Sequence, residues 1–302
     1  MRYAIVTLSA VFAALLGFAL ASCGSGAQSV GNVPNGQATG GEPVLTDSGA
    51  VGTDTTSGTE TSGGIVHYKV WFHRGEQLYV VSRTHTGTPR VGSAAVADLL
   101  AGPTTAEHDA GVGTQIPDGT ELLGLSIDSG IATVDLTSEY ESGGGTASMT
   151  MRLAQVVCTL DQFPTVKGVL FQLDGKAVDV LGGEGIVIDH PLRCRDYRDL
   201  LPVILVTSPA DGGTVTNPVT VTGSANVFEA NVTVEILDTA GNVVGHGFTT
   251  ATCGSGCRGT FTIALPYDVA KAQKGEIVVH DDDAAGTGQP PHEVHIPVFL
   301  QP

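Results

Sequence analysis

The sequence is poor in aromatic side chains and in positive charge. Aromatic residues make up 5% of the 302-residue chain, and 14 Lys and Arg stand against 31 Asp and Glu. The formal net charge of -17 repels nucleic-acid backbones and anionic lipid headgroups, so we expect no nucleic-acid partner. With 41% hydrophobic residues, the chain is long enough for two domains with buried cores. The 41 glycines favour β-rich domains over helical bundles.

The chain also lacks the spacing motifs of common enzymes. It contains no G-x-S-x-G, no H-E-x-x-H and no glycine loop that ends in Lys-Ser or Lys-Thr. We therefore predict a protein that is not an enzyme and needs no cofactor. The alternative is a hydrolase of wall glycan or peptide that uses carboxylates such as Asp135, Glu139 and Glu141 as acid and base. Asp135, however, lies on the polar side of a predicted strand, where it should face water.

Residues 1–23 have the layout of a bacterial export signal, because Arg2 precedes an uncharged apolar segment over residues 3–20. The sequence Leu-Ala-Ser-Cys that follows resembles the lipobox of bacterial lipoproteins. The resemblance implies that Cys23 is acylated on sulfur and becomes the N-terminus after cleavage, so that a lipid holds the protein on the outer face of the bacterial cell membrane. An uncleaved transmembrane helix is the alternative, since the run is near the length that spans a bilayer.

Residues 24–64 consist mainly of Gly, Ser, Thr, Ala and acidic residues, and they contain no Lys or Arg. Such a segment has almost nothing with which to form a core, so we predict a flexible, disordered tether between the lipid anchor and the folded part of the chain.

Cysteine is scarce, with five residues in the chain. If Cys23 carries lipid, Cys158, Cys194, Cys253 and Cys257 remain outside the cytoplasm, where two disulfides are the expectation. Free thiols and zinc ligation are the alternatives. Zinc is disfavoured because the chain has no Cys-x-x-Cys pair, and we predict no metal site.

Residues 65–200 mix strand and helix patterns, which predicts an α+β domain. A short helix with Ser93 as its cap precedes a hairpin in which Leu123, Leu125 and Ile127 alternate with polar residues. A longer helix is predicted over residues 146–162, with a main apolar stripe and Pro164 after its end.

Cys158 lies on the face of this longer helix opposite the main apolar stripe, among Ala147, Met151 and Ala154. Because these side chains are small or flexible, another segment can pass over them. We infer that Cys194 clips the following segment across this outer face. Closing that loop stabilises the fold by about 4 kcal/mol in the chain-entropy model.

Residues 201–302 show no helical period and about seven strand patterns at short, regular spacing, which is typical of an all-β sandwich. Turn residues such as Asp211-Gly212-Gly213 and Asn217-Pro218 separate the patterns. Cys253 and Cys257 are close enough to staple one loop, with a stabilisation of about 2 kcal/mol.

Two stretches resemble known domain families. Residues 66–198 are similar to a GerMN domain, with LLAGPT at the end of the short helix, GIATVDLTSEY in the hairpin and a closing LRCRDY. The segment PVILVTSPADGGTVTNPVTVTGSANVFEANVTVEILD is similar to the immunoglobulin-like domain of bacterial spore-germination proteins. The resemblance implies an α+β GerMN module, a mixed sheet with two helices, over residues 65–200, and an immunoglobulin-like sandwich over residues 201–302. It also implies an exported protein related to sporulation or germination, with a role in protein interaction and no catalytic residues to carry over.

The acidic segment HDDDAAGTGQPPHEVH, residues 280–295, partly matches a calcium-binding loop. Asp281, Asp283 and Gly286 stand at the first, third and sixth positions. The fifth and twelfth positions carry Ala285 and His292 where oxygen ligands are needed. The pattern therefore favours a solvated acidic loop over a calcium site.

Other candidates have ordinary structural explanations. Glu229 is either a buried acid with a functional partner or a side chain that satisfies loop N–H groups, and we favour the second. Trp71 alternates out of phase with its apolar neighbours and either faces a partner or packs half-buried, with packing favoured. His292 and His295 would point to opposite faces of a strand, which disfavours a shared zinc ion.

We expect a non-catalytic envelope lipoprotein that acts as an adaptor and binds an envelope protein or a cell-wall polymer. Its membrane contact would be the lipid on Cys23. Exposed strand edges suit this role because they can pair with other chains. The rivals are the carboxylate hydrolase and a calcium-dependent adhesion module.

Overall fold

A computed structural model describes residues 64–87, 90–183, 185–282, 286 and 288–302 of the chain. These residues all belong to one compact unit, Gly58–Pro302. The export signal, Cys23, the tether as far as residue 63 and Asp283 lie outside the described residues. None of the helices within the described ranges is both long enough and apolar enough to cross a bilayer.

The first domain mixes helices and short strands, as predicted. In chain order its elements are β1 (Ile65–Arg74), β2 (Gln77–Thr86), α1 (Val91–Leu100), α2 (Thr105–Asp109), β3 (Val112–Gly113), β4 (Leu122–Asp128), β5 (Ile131–Leu136), α3 (Thr146–Asp161), β6 (Gly168–Leu173), β7 (Lys176–Ala177), β8 (Val180–Leu181) and β9 (Ile186–Val187).

The strands of this domain divide into separate sheets. One has the order β2-β1-β3, a second has the order β4-β5-β6-β7, and β8 and β9 form a hairpin. The second sheet is mixed, because β5 and β6 run parallel while the other neighbours are antiparallel. The apolar side of α3 packs in a core with the inward residues of these strands, which places the helix at the centre of the domain.

A polar stripe on α3 and its C-terminal end completes the hydrogen bonding of β1. Thr159 Oγ1 accepts from Trp71 N–H (3.1 Å), and Gln155 Nε2 donates to the Trp71 carbonyl oxygen (3.2 Å). The Gln162 amide pairs in the same way with both backbone groups of Lys69. These side chains satisfy backbone groups of β1 that face the helix, and so they fix α3 against the strand.

The cysteines pair as expected from the sequence. Cys158 of α3 is bonded to Cys194, and Cys253 is bonded to Cys257. The first bond pins the short helical segment Cys194–Leu200 onto α3 at the end of the domain. The second closes a loop in the following domain.

The second domain is a β-sandwich. Its strands are β10 (Ile204–Ser208), β11 (Gly213–Val215), β12 (Val219–Ala225), β13 (Asn231–Leu237), β14 (Val243–Thr250), β15 (Gly259–Leu265), β16 (Gln273–His280) and β17 (Glu293–Leu300). All the predicted strands are present, and β11 is an addition that the sequence patterns did not indicate.

The sandwich has two sheets, with the orders β10-β12-β15 and β11-β17-β16-β13-β14. Neighbours are antiparallel except β11 and β17, which are parallel. Alternate residues of each strand point inward, as a two-faced sheet requires. The inward side chains form the second core, which includes Val221, Phe261, Val232, Val234, Ile236, Ile277, Val279, Ile296 and Leu300.

The predicted Ser93 cap is wrong, and two further local features of the first domain depart from the sequence patterns. Ser93 lies inside α1, and the cap position is Arg90, which makes no side-chain capping bond. Leu123 and Ile127 are 51% and 44% exposed, because β4 is an edge strand with a bulge between Leu122 and Gly124. The sequence reading also missed α2, whose capping box is formed by Thr104 and Glu107.

Candidate functional site

The two domains meet through an apolar contact. Leu205 of β10, although it belongs to the sandwich, packs into the hydrophobic core of the first domain, together with Leu200 and Leu201 of the connecting segment. Arg258 holds this connection from the other side, because its guanidinium donates to the carbonyl oxygens of Pro202 and Ser224. The domains are therefore joined by packing as well as by the chain.

Beside this contact lies a cavity of about 330 Å³, which we call the interdomain cleft. One wall comes from β2 of the first domain, and the other comes from β10, the following turn and the start of β17. Most of the lining is apolar. The apolar residues are Leu78, Val80, Pro202, Ile204, Leu205, Val206, Pro209, Ala210, Val294 and Ile296.

A cluster of polar side chains bridges the domains at this cleft. The Tyr79 hydroxyl of β2 donates to Asp211 Oδ2 of the sandwich. The Arg74 guanidinium lies over the Tyr79 ring, with its Cζ 3.8 Å from the ring centroid. Burial raises the pKa of Tyr79, and the hydrogen bond to Asp211 raises it further, so the hydroxyl remains a donor at neutral pH.

A second cavity of about 320 Å³ adjoins the first. Glu107 of α2 lines it, and this carboxylate accepts two hydrogen bonds from Arg83 of β2, at 2.6 and 2.7 Å. Burial alone would raise the pKa of Glu107, but the hydrogen bonds from Arg83 and Thr104 hold it below its usual value. Both cavities are lined by Arg74, Tyr79, Val80, Ser82, Ala210 and Asp211.

The interdomain cleft has a size and lining that suit a binding site. Each cavity lies at the lower end of the range of about 300–1,000 Å³ that is usual for ligand pockets. Apolar walls with a few polar groups provide burial together with orientation. Apolar side chains of a partner could enter both cavities, while Arg74, Ser82 and Asp211 could meet its backbone or polar groups.

The structure does not gather the predicted carboxylates around one reaction centre. Asp135 lies on the less buried side of β5, alternating with the buried Val134 and Leu136 as predicted, and its Oδ1 accepts from Gly175 N–H in the turn between β6 and β7 (2.9 Å). Glu139 and Glu141 are exposed in a short helical turn of the same domain. Glu229 belongs to the other domain.

The interpretation of Glu229 as a side chain that satisfies loop donors is wrong. Its side chain is exposed, and the hydrogen bond at this position is made by its backbone N–H, which donates to Ser255 Oγ (3.0 Å). Trp71 is also more buried than predicted, with 7% of its surface exposed. It therefore belongs to the core and cannot face a partner.

The acidic loop uses its first aspartate to close its own base. Asp281 Oδ1 accepts from the His292 backbone N–H (2.7 Å), and Asp281 Oδ2 lies 2.9 Å from His292 Nδ1. Asp283, the other proposed calcium ligand, lies outside the described residues. Within the described part of the chain, no group of three or more His, Cys, Asp and Glu side chains is placed to hold a metal ion.

Sequence reasoning missed the interdomain cleft because its parts are far apart in the chain. Tyr79 and Asp211 are separated by 132 residues. Asp211 is predicted as a turn residue, and no sequence motif marks Tyr79. No local spacing links the two positions, and only the docking of the domains brings them together.

The chain matches two protein-family models. Residues 69–179 match the Germane family, described as sporulation and spore germination. Residues 203–287 match the immunoglobulin-like domain of bacterial spore germination. The first match lies within the α+β domain and ends before β8, and the second lies within the sandwich and ends before β17. No curated protein matches the chain.

Solved structures with a similar arrangement include two of the sporulation protein GerM from Bacillus subtilis. Its first GerMN domain is 20% identical, with a TM-score of 0.37, and the match covers 43% of this chain and 99% of that domain. Its tandem GerMN domains are 14% identical, with a TM-score of 0.38, and the match covers 79% of this chain and 61% of theirs. A candidate lipoprotein from Clostridium perfringens is 20% identical, with a TM-score of 0.33, and the match covers 46% of this chain and 93% of that one.

Because these TM-scores are below 0.5, the assignment rests on the family models and on the architecture. The α+β domain with its mixed sheet coincides with the Germane match, and the sandwich coincides with the immunoglobulin-like match. The chain therefore contains a GerMN domain followed by an immunoglobulin-like domain of the kind described for bacterial spore germination.

Proposed function

We propose that this protein is a lipid-anchored adaptor of the bacterial envelope that holds a segment of a partner protein in the interdomain cleft. The observation that carries the proposal is the cleft itself, an apolar-walled site to which both domains contribute. Clefts of this composition between domains are usual places for binding. In this account the two domains act together, since neither supplies the site alone.

The proposed location has support from two features. The lipobox-like sequence that ends at Cys23 resembles those of bacterial lipoproteins. The two disulfides suit an oxidising compartment outside the cytoplasm, since such bonds are rare in cytosolic proteins. We propose acylation of Cys23 as the means of attachment.

The proposed ligand is a short apolar segment of protein. Two adjoining cavities that share part of their lining can accept two side chains of one segment. Ser82 and Asp211 supply polar groups between them for the backbone of that segment, which is how extended peptides are commonly held. The chain's net charge of -17 favours a partner segment that is neutral or basic.

The test places a photoreactive amino acid in the full-length protein in intact cells. Ser82, which lines both cavities, is the test position, and Ser126 on β4 is the exposed control. We expect illumination to yield a defined protein adduct from position 82 and none at 126. The proposal is wrong if position 82 yields no protein adduct, or if both positions yield the same set.

The anchor is tested separately with Cys23→Ala and a clickable fatty acid supplied to the cells. The unaltered chain should carry the label and sediment with membranes, whereas the variant should lose the label and leave the membrane fraction. Lipid attachment at Cys23 is refuted if the variant keeps the fatty acid.

A further inference from the structure

The outer face of the five-stranded sheet carries an unusually exposed aromatic side chain. Phe248 lies on β14, the last strand of that sheet, and 69% of its surface is exposed. It belongs to the sandwich and is not among the residues that line the interdomain cleft. Among the described residues, it is the most exposed of the large hydrophobic side chains.

The strand register surrounds this ring with hydrogen-bonding side chains. Phe248 lies opposite Thr233 of β13, and Thr233 in turn lies opposite His280 of β16. Two residues away along the same two strands, His246 lies opposite Glu235. Because cross-strand partners point to the same face, these groups share one surface.

A carboxylate at the end of β16 is held in place beside the ring. Asp282 Oδ2 accepts from Asn231 Nδ2 (3.2 Å) and from Thr233 Oγ1 (3.1 Å). The His280 Nδ1 lies 3.7 Å from the other oxygen of this carboxylate. Together these residues line a shallow hollow of about 400 Å³, which we call the Phe248 hollow. Its lining residues are Asn231, Thr233, Glu235, His246, Phe248, His280 and Asp282.

We propose that the Phe248 hollow binds a saccharide chain, with one pyranose ring stacked on Phe248. A pyranose has an apolar face of C–H groups and a rim of hydroxyl groups. The hollow offers the complement, an aromatic face surrounded by amide, hydroxyl, imidazole and carboxylate groups.

The size of the apolar surface argues against a protein as the occupant. One aromatic side chain buries about 150–250 Å². A stable protein interface buries about 800 Å² on each partner, with an apolar centre. The remaining lining of the Phe248 hollow is polar, so it suits a hydroxyl-rich ligand of one or two sugar units in contact at a time.

The charges of the hollow narrow the class of saccharide. Glu235 and Asp282 place two carboxylates beside Phe248, and the whole chain has a net charge of -17. An anionic polymer would be repelled from this surface. The expected ligand is therefore a neutral or amino-sugar glycan, and its source as a wall glycan rests on the location proposed above.

The test measures binding of the full-length protein, solubilised in detergent, to a soluble oligomer of N-acetylglucosamine and to peptidoglycan stripped of anionic polymers. The variants are Phe248→Ala, Phe248→Tyr and the control Phe299→Ala. Phe299 is 37% exposed on β17 of the same sheet but does not line the hollow. All three changes are at exposed positions, where effects on stability are usually small.

We expect Phe248→Ala to weaken the affinity for both probes about tenfold, as loss of one stacking contact of about 1.4 kcal/mol would do. Phe248→Tyr and Phe299→Ala should bind as the unaltered chain does. The proposal is overturned if the unaltered chain binds neither probe, if Phe248→Ala binds normally, or if Phe299→Ala loses as much affinity. Val80→Glu, which alters the interdomain cleft, should leave saccharide binding unchanged, so the two proposals can fail independently.

Discussion

The disulfide between Cys158 and Cys194 should stabilise its domain more than the bond between Cys253 and Cys257 stabilises the other. The first bond joins residues 36 positions apart, and the second joins residues 4 apart. In the chain-entropy model these loops correspond to about 4 and about 2 kcal/mol. The difference arises in the unfolded chain, because a longer closed loop removes more conformational freedom.

The perturbation is the double variant Cys158→Ala and Cys194→Ser, compared with Cys253→Ser and Cys257→Ser. Calorimetry of the full-length protein should show the unfolding temperature of the first domain lowered by about 12 °C, because each kcal/mol of lost stability lowers it by about 3 °C. The matched variant should lower the transition of the sandwich by about half as much. Cys158 is buried in α3, so part of the first effect is the loss of packed sulfur.

Reduction of the unaltered protein separates these contributions, because it breaks both bonds without removing a side chain. The order of the two effects should be the same after reduction as in the variants. Equal losses in the two domains, or a larger loss from the Cys253 bond, would refute the reasoning from loop length. Since α3 fixes β1, and β1 pairs with β2, loss of the longer bond should also loosen one wall of the interdomain cleft.

Three further predictions concern single side chains. Arg83→Met should lower the free energy of unfolding by about 1–2 kcal/mol at pH 7. Because the folded pKa of Glu107 is depressed, the difference between the variant and the unaltered chain should shrink as the pH falls through that pKa. Denaturant unfolding curves measured from pH 7 to pH 3 check this. Gly223→Ala should lower the free energy of unfolding by more than about 2 kcal/mol, because the new methyl group would lie 2.2 Å from a carbonyl oxygen of β10. The control Gly124→Ala, whose methyl group would lie 3.8 Å from the nearest atom, should be close to neutral in the same denaturant unfolding experiment. Tyr140→Phe should leave the free energy of unfolding unchanged or raise it by about 1 kcal/mol, because the buried Tyr140 hydroxyl has no hydrogen-bond partner among the described residues. A clear loss of stability in thermal unfolding would contradict this expectation.

The repeating apolar patterns predicted most of the architecture. Seven of the eight sandwich strands and the long helix α3 were identified, because alternation and helical spacing are local properties of the sequence. The helix α2 was missed although its capping box, Thr104 with Glu107, is visible in the sequence. Such a short helix has too few apolar residues to give a period.

Burial was harder to predict because it depends on neighbours that are distant in the chain. Leu123 and Ile127 have the pattern of core residues, but their strand ends the sheet and one side of it stays open. Conversely, Gln155 and Thr159 are polar but fully buried, because they bond to the backbone of β1. Their spacing with Arg152 and Gln162 along one side of the helix is the signal that could have revealed them.

The candidate sites were also hard to predict from the sequence, because their residues are distant in the chain. Candidates chosen by residue type, such as Asp135 and Glu229, turned out to lie apart and to have local roles or none. The interdomain cleft and the Phe248 hollow depend on domain docking and on strand register, which the sequence does not display. The side chains that surround Phe248 depend on how β14, β13 and β16 pair.

The most direct test of the account is the affinity of the protein partner, once captured at position 82, for two matched variants of the full-length chain. Val80→Glu places a charge in both cavities, whereas Val187→Glu places one on the exposed strand β9 of the same domain. An adaptor that binds through the interdomain cleft should lose at least about tenfold in affinity with Val80→Glu and keep it with Val187→Glu. Equal affinity of the partner for the unaltered chain and for both variants would contradict the account.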